Sequence, residues 1–108
     1  MILIRAIIRP EKTSEVLAAL QEKGFCAVTR MDVYGRGKQK GIKIGNVFYD
    51  EIPKNMLLMV IDEKDKEAVT SIIMETARTG ANGNYGDGRI FVSPVEEAYT
   101  ISSKAKGL

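Results

Sequence analysis

Two apolar runs limit what this chain can fold into. Ile2-Leu3-Ile4-Arg5-Ala6-Ile7-Ile8 is an almost unbroken aliphatic stretch, and Met56–Ile61 is a second. A near-continuous run of this length predicts a central strand buried on both faces. Each run is followed by a break and then by a helical period. Pro10 stops the first strand. Thr13 or Ser14 then caps a helix with Val16, Leu17 and Leu20 on one face, and Gly24 stands where a C-cap glycine belongs. Asp62 and Asp65 flank the start of the second helix, in which Val69, Ile72, Ile73 and Thr76 keep helical spacing through Ala77.

The rest of the chain fills in around this repeated strand–helix pattern. Phe25–Tyr34 alternates loosely and reads as a strand, with Cys26 as a packing residue. Val47-Phe48-Tyr49 reads as the returning arm of a long loop that Pro53 ends. Arg89–Ser93 and Ala98–Ile101 read as short strands around Pro94, and the polar tail from Ser102 as frayed. Met56, Met59 and Met74 are expected in the core. The order β-α-β, long loop, β-α-β predicts an α+β, ferredoxin-like βαββαβ fold: one domain over residues 1–108, an antiparallel sheet with two helices on one face. The uncovered face remains rich in Ile, Val and Met, which predicts self-association.

Several classes of chemistry are excluded by what is missing. The 108 residues include no histidine and a single cysteine. That removes His-based acid–base catalysis, a Ser/Cys-His triad, His-ligated metals and an internal disulfide. Any metal is expected to be a hard cation on oxygens, such as magnesium on phosphates. A net charge of +2 is too balanced for bulk nucleic-acid binding. No run reaches the ~20 apolar residues of a membrane span. Arg5 and Arg9-Pro10 interrupt and close the apolar N-terminus, so a signal peptide is not expected. A reducing, cytoplasmic setting is the default.

The informative segments are two glycine-rich loops. Gly35–Gly45 carries glycines at 35, 37, 41 and 45 with Arg36, Lys38, Lys40 and Lys43 between them. Thr79–Gly88 carries glycines at 80, 83, 86 and 88. Glycine lets backbone N–H groups close on a ligand as an anion nest, and the lysines supply cations for phosphates. The first loop lacks the GxxxxGK[ST] pattern of a P-loop.

With their flanks, these loops resemble the PII signal-transduction family (the GlnB/GlnK type) over about Ile2 to Ile101. The matching parts are Ala6-Ile7-Ile8-Arg9-Pro10, Gly35-Arg36-Gly37-Lys38-Gln39-Lys40-Gly41, Ile52-Pro53-Lys54, Ala77-Arg78-Thr79-Gly80, and Gly86-Asp87-Gly88-Arg89 running on to Ala98. The resemblance implies a trimer with ATP or ADP in clefts between subunits. It implies a T-loop over about 36–55 and a B-loop over about 79–89. On the T-loop side, Gly35, Gly37, Lys38, Gln39, Lys40 and Gly41 are implied in the site. Ile7 and Thr29 are implied near the adenine, and Gly86, Asp87, Gly88 and Arg89 at the phosphates. 2-Oxoglutarate is implied to bind magnesium beside ATP, with Gln39 as a magnesium ligand and Lys54 pairing with the acid.

The chain departs from that pattern in three places. The T-loop is shortened before Pro53, which puts Tyr49 out of register with the tyrosine that bacterial members modify. Ala81–Tyr85 enlarges the B-loop. Thr100 and Ser102 stand where the family has an Arg-x-Arg pair, with Lys104 and Lys106 as possible substitutes. The short T-loop, Tyr49-Asp50-Glu51-Ile52-Pro53-Lys54 and Ser93-Pro94-Val95-Glu96-Glu97-Ala98-Tyr99 look most like the NifI subgroup. That implies a non-enzymatic regulator acting on nitrogenase, as a homotrimer or a hetero-oligomer with a PII paralogue. Regulation of an ammonium transporter or glutamine synthetase is the alternative. An RNA-binding ferredoxin-like module is a distant one, because the sheet lacks the RNP aromatics.

Overall fold

The computed structural model describes residues 1–36, 42–44, 47–49 and 51–108, with 42–44 and 47–49 described by their backbone alone. Among the described residues, eight strands and two α-helices follow one another as β1 (Ile2–Ile8), α1 (Thr13–Glu22), β2 (Thr29–Gly35), β3 (Ile42–Ile44), β4 (Val47–Tyr49), β5 (Ile52–Ile61), α2 (Lys66–Ala77), β6 (Gly88–Pro94), β7 (Tyr99–Thr100) and β8 (Ala105–Lys106). Short 3₁₀ turns, Pro10–Lys12 and Glu63–Asp65, lead into the two helices. The main sheet has the order β2-β5-β1-β6, and every neighbouring pair is antiparallel. This is the ferredoxin-like arrangement expected from the repeated strand–helix pattern.

Alternation along the central strands separates the two faces. Ile2, Ile4, Ala6 and Ile8 of β1 and Leu57, Met59 and Ile61 of β5 are buried beneath the helices. Val16 and Leu20 of α1 and Val69, Ile73 and Ala77 of α2 meet them at helical spacing. The opposite face carries Leu3, Ile7, Met56, Leu58 and Val60, all only partly covered, together with the exposed Met31 and Phe91. Within the single chain, β1 is therefore buried on one face rather than on both. Arg5 stands exposed in the middle of the open face, opposite Leu58 on one side and Phe91 on the other.

Other boundaries also differ from expectation. Residues Phe25–Val28 are not strand. The Phe25 N–H instead donates to the Leu20 carbonyl at 2.9 Å as part of the α1 C-cap, beside Gly24 with φ +89°. Phe25 and Val28 pack against the core without joining a ladder, and Cys26 is exposed. Thr13 does not cap α1, and no side-chain cap bond is made at either helix start, including by Asp62 or Asp65. β5 begins at Ile52, so Pro53 lies inside a strand. Met59 is buried in the core as expected, but Met56 is half-buried on the open face of the sheet and Met74 is 56% exposed on α2. Ser102–Lys104 form a turn that folds β8 back on β7, where a frayed tail was expected. No helix among the described residues is long and apolar enough to cross a membrane.

The top of the sheet positions the two loops. Asp32 of β2, Asn55 of β5, Ile8 of β1 and Gly88 of β6 form its last row of four paired residues. Beyond that row only β2 and β5 continue, pairing Val33 with Lys54, Tyr34 with Pro53 and Gly35 with Ile52. The long loop hangs from this two-stranded ribbon. Within it, β3 and β4 pair as a short antiparallel ribbon, which matches the expected returning arm at Val47–Tyr49.

Candidate functional site

A cleft of about 570 Å³ opens between the ribbon and the segment before β6. Its ribbon side consists of Gly35, Arg36, Ile52 and Lys54, its floor includes Ile7 and Phe91, and its far side runs from Asn84 to Arg89. Of the residues implied by resemblance, Ile7, Gly35, Lys54, Gly86, Asp87, Gly88 and Arg89 thus line one cavity, although more than 80 positions separate the first from the last. Thr29 is not among the lining residues. It pairs with Leu58 on the open face of the sheet. Gly37, Lys38, Gln39, Lys40 and Gly41 lie outside the described residues.

The far side is built around one carboxylate. Asp87 accepts hydrogen bonds from the Thr79 N–H (3.0 Å) and hydroxyl (2.5 Å), the Asn84 N–H (2.9 Å) and the Arg9 Nε (3.0 Å). Partial burial alone would raise its pKa. The donors from Thr79, Asn84 and Arg9 outweigh burial and hold the carboxyl well below the usual carboxylate range. The Asp87 side chain therefore faces into its own loop rather than into the cleft. Asn84 locks the same loop again, its side-chain amide donating to the Thr79 carbonyl and hydroxyl at 3.2 and 3.0 Å. Asn84 is thus part of the loop's internal scaffold, whereas Ala81 and Asn82 are exposed and the Tyr85 ring stands out, 76% exposed.

Gly88 is required by close approach. A Cβ there would lie 1.8 Å from the Ile7 carbonyl oxygen, and φ is +121°. Gly86, at φ +95°, packs beside the Arg9 guanidinium and the Lys54 ammonium. These two cations fasten the loop from outside: Arg9 Nη2 donates to the Tyr85 carbonyl at 3.0 Å, and Lys54 Nζ donates to the Gly86 carbonyl. Partial burial, followed by the nearby Arg9, lowers the Lys54 pKa from its ordinary value, against the opposing pull of Glu11 and Asp87.

Arg9, Thr79 and Asn84 were not singled out as site residues by sequence. The available signal was their place in the matching segments: Arg9 at the end of β1 and Thr79 at the end of α2. Their partners lie far off in the chain, Arg9 being 78 residues from Asp87. Arg36 and Arg89, by contrast, make no ion pair among the described residues, and both line the cleft. Lys106 is paired with Glu97 at 3.7 Å within the C-terminal hairpin.

The cavity joins two guanidinium groups, an ammonium and glycine-rich backbone. No group of three or more acidic, cysteine or histidine side chains is placed to hold a metal among the described residues. Such a donor set suits an anion bearing several oxygens. The fold and cleft define a ferredoxin-like domain with a cationic, glycine-rich cleft between two loops. The family model of the nitrogen regulatory protein P-II matches residues 1–105, and the chain belongs to that family. It is 56% identical over its full length, and the full length of the relative, to "Nitrogen fixation nifHD region GlnB-like protein 1" of Methanobacterium ivanovii. It is 55% identical, again over both full lengths, to the protein of the same name in Methanothermobacter marburgensis. It is 39% identical to "Nitrogen fixation nifHD region GlnB-like protein 2" of Methanothermococcus thermolithotrophicus, covering 94% of this chain and 91% of that one. These names agree with the NifI resemblance read from the short T-loop.

Proposed function

We propose that the chain is a non-enzymatic P-II sensor that binds ATP or ADP at the cleft, responds to 2-oxoglutarate, and regulates nitrogenase through its T-loop. The observation that carries this reading is the convergence of the T-loop root and the B-loop on one cavity edged by Arg36, Lys54 and Arg89. Phosphates suit the arginines and glycine backbone, and a dicarboxylate suits Lys54. Gly37, Lys38, Gln39, Lys40 and Gly41 complete the site from the T-loop side, with Gln39 donating its amide oxygen to magnesium. Chelated by phosphate and keto-acid oxygens, magnesium needs few protein ligands.

The apolar open face supports assembly through the sheet, as a homotrimer or with a paralogue, and the existence of a relative named GlnB-like protein 2 is consistent with the latter. Nitrogenase as target is favoured by the relatives' nitrogen-fixation names. Among the exposed large apolar residues of that face, Phe91 is the one aromatic, which disfavours RNA stacking. Isothermal calorimetry tests the reading. MgATP binds, and 2-oxoglutarate binds in its presence. Absence of both at millimolar ligand would sink the proposal. Pull-down with nitrogenase, and in parallel with glutamine synthetase and an ammonium transporter, decides the target.

A further inference from the structure

Beneath the T-loop ribbon lies a polar chain inside an otherwise apolar core. Thr13 is 1% exposed and Asn55 is 5% exposed, and they are the two buried polar residues among those described. The Thr13 hydroxyl donates to Asn55 Oδ1 at 2.6 Å, and Asn55 Nδ2 donates to Asp32 Oδ1 at 2.8 Å and to the Lys54 carbonyl at 3.2 Å. The amide orientation is fixed by these partners. Turned over, it would set its oxygen against both the Asp32 carboxylate and the Lys54 carbonyl.

A buried amide is costly unless satisfied, and nothing in the packing of β5 on the helices demands one. Its position supplies the reason. Asn55 occupies the last four-strand row, one residue before β5 leaves β1 and continues with β2 alone. A two-stranded ribbon is marginal by itself. Asn55 ties that ribbon across to Asp32 and down to the first residue of α1. The segment leading to Thr13 starts at Arg9, which grips the Tyr85 carbonyl and the Asp87 carboxylate. Residues 9–13 therefore touch both rims of the cleft.

We propose that Asn55 is a positioning residue that, through Thr13 and Asp32, fixes the angle at which the T-loop ribbon meets the cleft and so sets the place of Lys54. This rests on the sensor reading in that Lys54 is taken to meet the effector. The test uses the full chain, with calorimetry and amide hydrogen exchange. Asn55→Ala is expected to bind MgATP within about threefold of wild type and to bind 2-oxoglutarate at least tenfold more weakly. Exchange at Val33, Gly35, Ile52 and Lys54 is expected to rise tenfold or more, while the Thr79–Gly88 amides keep their protection. Thr13→Val gives the same pattern more weakly, and Thr13→Ser restores wild-type behaviour.

Wild-type effector binding and ribbon exchange in Asn55→Ala would overturn the inference. If Asn55→Ala does not fold, Thr13→Val decides, since it exchanges a hydroxyl for a methyl of similar shape. Unchanged ribbon exchange there overturns the inference as well. Failure of wild-type protein to bind 2-oxoglutarate overturns the sensor reading instead, and the exchange measurements still decide the role of Asn55.

Discussion

The B-loop and the root of the T-loop face each other across one cleft, but the first is held from within and the second from below. In the B-loop, Asp87 gathers donors from Thr79, Asn84 and Arg9, so its shape is set by its own residues and by two outside cations, Arg9 and Lys54. The T-loop root has no such internal centre among the described residues. It is a two-stranded extension whose side-chain tie, Asn55, lies one row beneath it. A loop built around a partly buried acceptor with four donors presents its backbone in one arrangement. A ribbon anchored at its foot leaves its far end less constrained, which suits the responding role proposed for it.

That contrast is open to attack in order of effect. Gly88→Ala is the most severe change, because the new Cβ would collide with the Ile7 carbonyl in a backbone conformation that L-residues avoid. A loss of about 3 kcal/mol or more, or failure to fold, is expected in thermal or urea denaturation. A mild effect would mean that the B-loop is not rigidly set against β1.

Asp87→Asn comes next, at about 2 kcal/mol at neutral pH, because donors lose a partly buried charged acceptor. The sign with pH is defined. The folded-state pKa lies below the unfolded one, so the contribution is fully present above the ordinary carboxylate pKa and fades as pH falls toward the folded value. The stability gap between wild type and Asp87→Asn should therefore be flat from about pH 5 to 8 and narrow below about pH 4. A gap constant down to pH 2 would remove Asp87 as the centre of the loop.

Arg9→Ala should destabilise by about 1–2 kcal/mol and raise hydrogen exchange in the B-loop more than in the T-loop ribbon. Equal rises in both would blur the distinction between the two rims. The smallest effect belongs to Lys54. Its folded-state pKa is lowered, so the folded chain gives up this proton before the unfolded chain does. Stability then gains with rising pH in the window just below the ordinary lysine value, and Lys54→Met should flatten that slope.

The architecture was legible because its strongest signals are local. β1, α1, β5 and α2 each announce themselves through a run or a period, and their order leaves few alternatives to a ferredoxin-like fold. Misreadings fell where apolar residues do something other than join a ladder. Phe25 and Val28 satisfy their side chains against the core while the Phe25 N–H closes α1, so alternation there is real but not a strand. Pro53 looked like a stop because proline breaks inner ladders. It is tolerated because β5 at that point has β2 as its only neighbour. Met74 falls off the buried stripe of Val69, Ile73 and Ala77; it borders a second groove of about 440 Å³ beside β6 and stays exposed.

The site was legible only through resemblance. Glycine loops and lysines say that an anion is welcome, but not that Ile7, Gly35 and Gly86 share a cavity. The contacts that shape the cavity, Arg9 with Asp87 and Thr13 with Asn55, join residues 78 and 42 positions apart and leave no local trace. Thr29 shows the converse, since a family position is occupied by a residue that the cleft of the single chain does not include.

Attachment by a ribbon above the last four-strand row has a consequence for how such a protein can change over generations. The described core is supplied by β1, α1, the part of β5 from Leu57 onward, and α2. Closing a longer or shorter loop on that ribbon alters chain entropy only slowly with length. The loop behaves as a plug in a fixed socket. A lineage can lengthen, trim or exchange it to suit a new target without solving the packing of the core again.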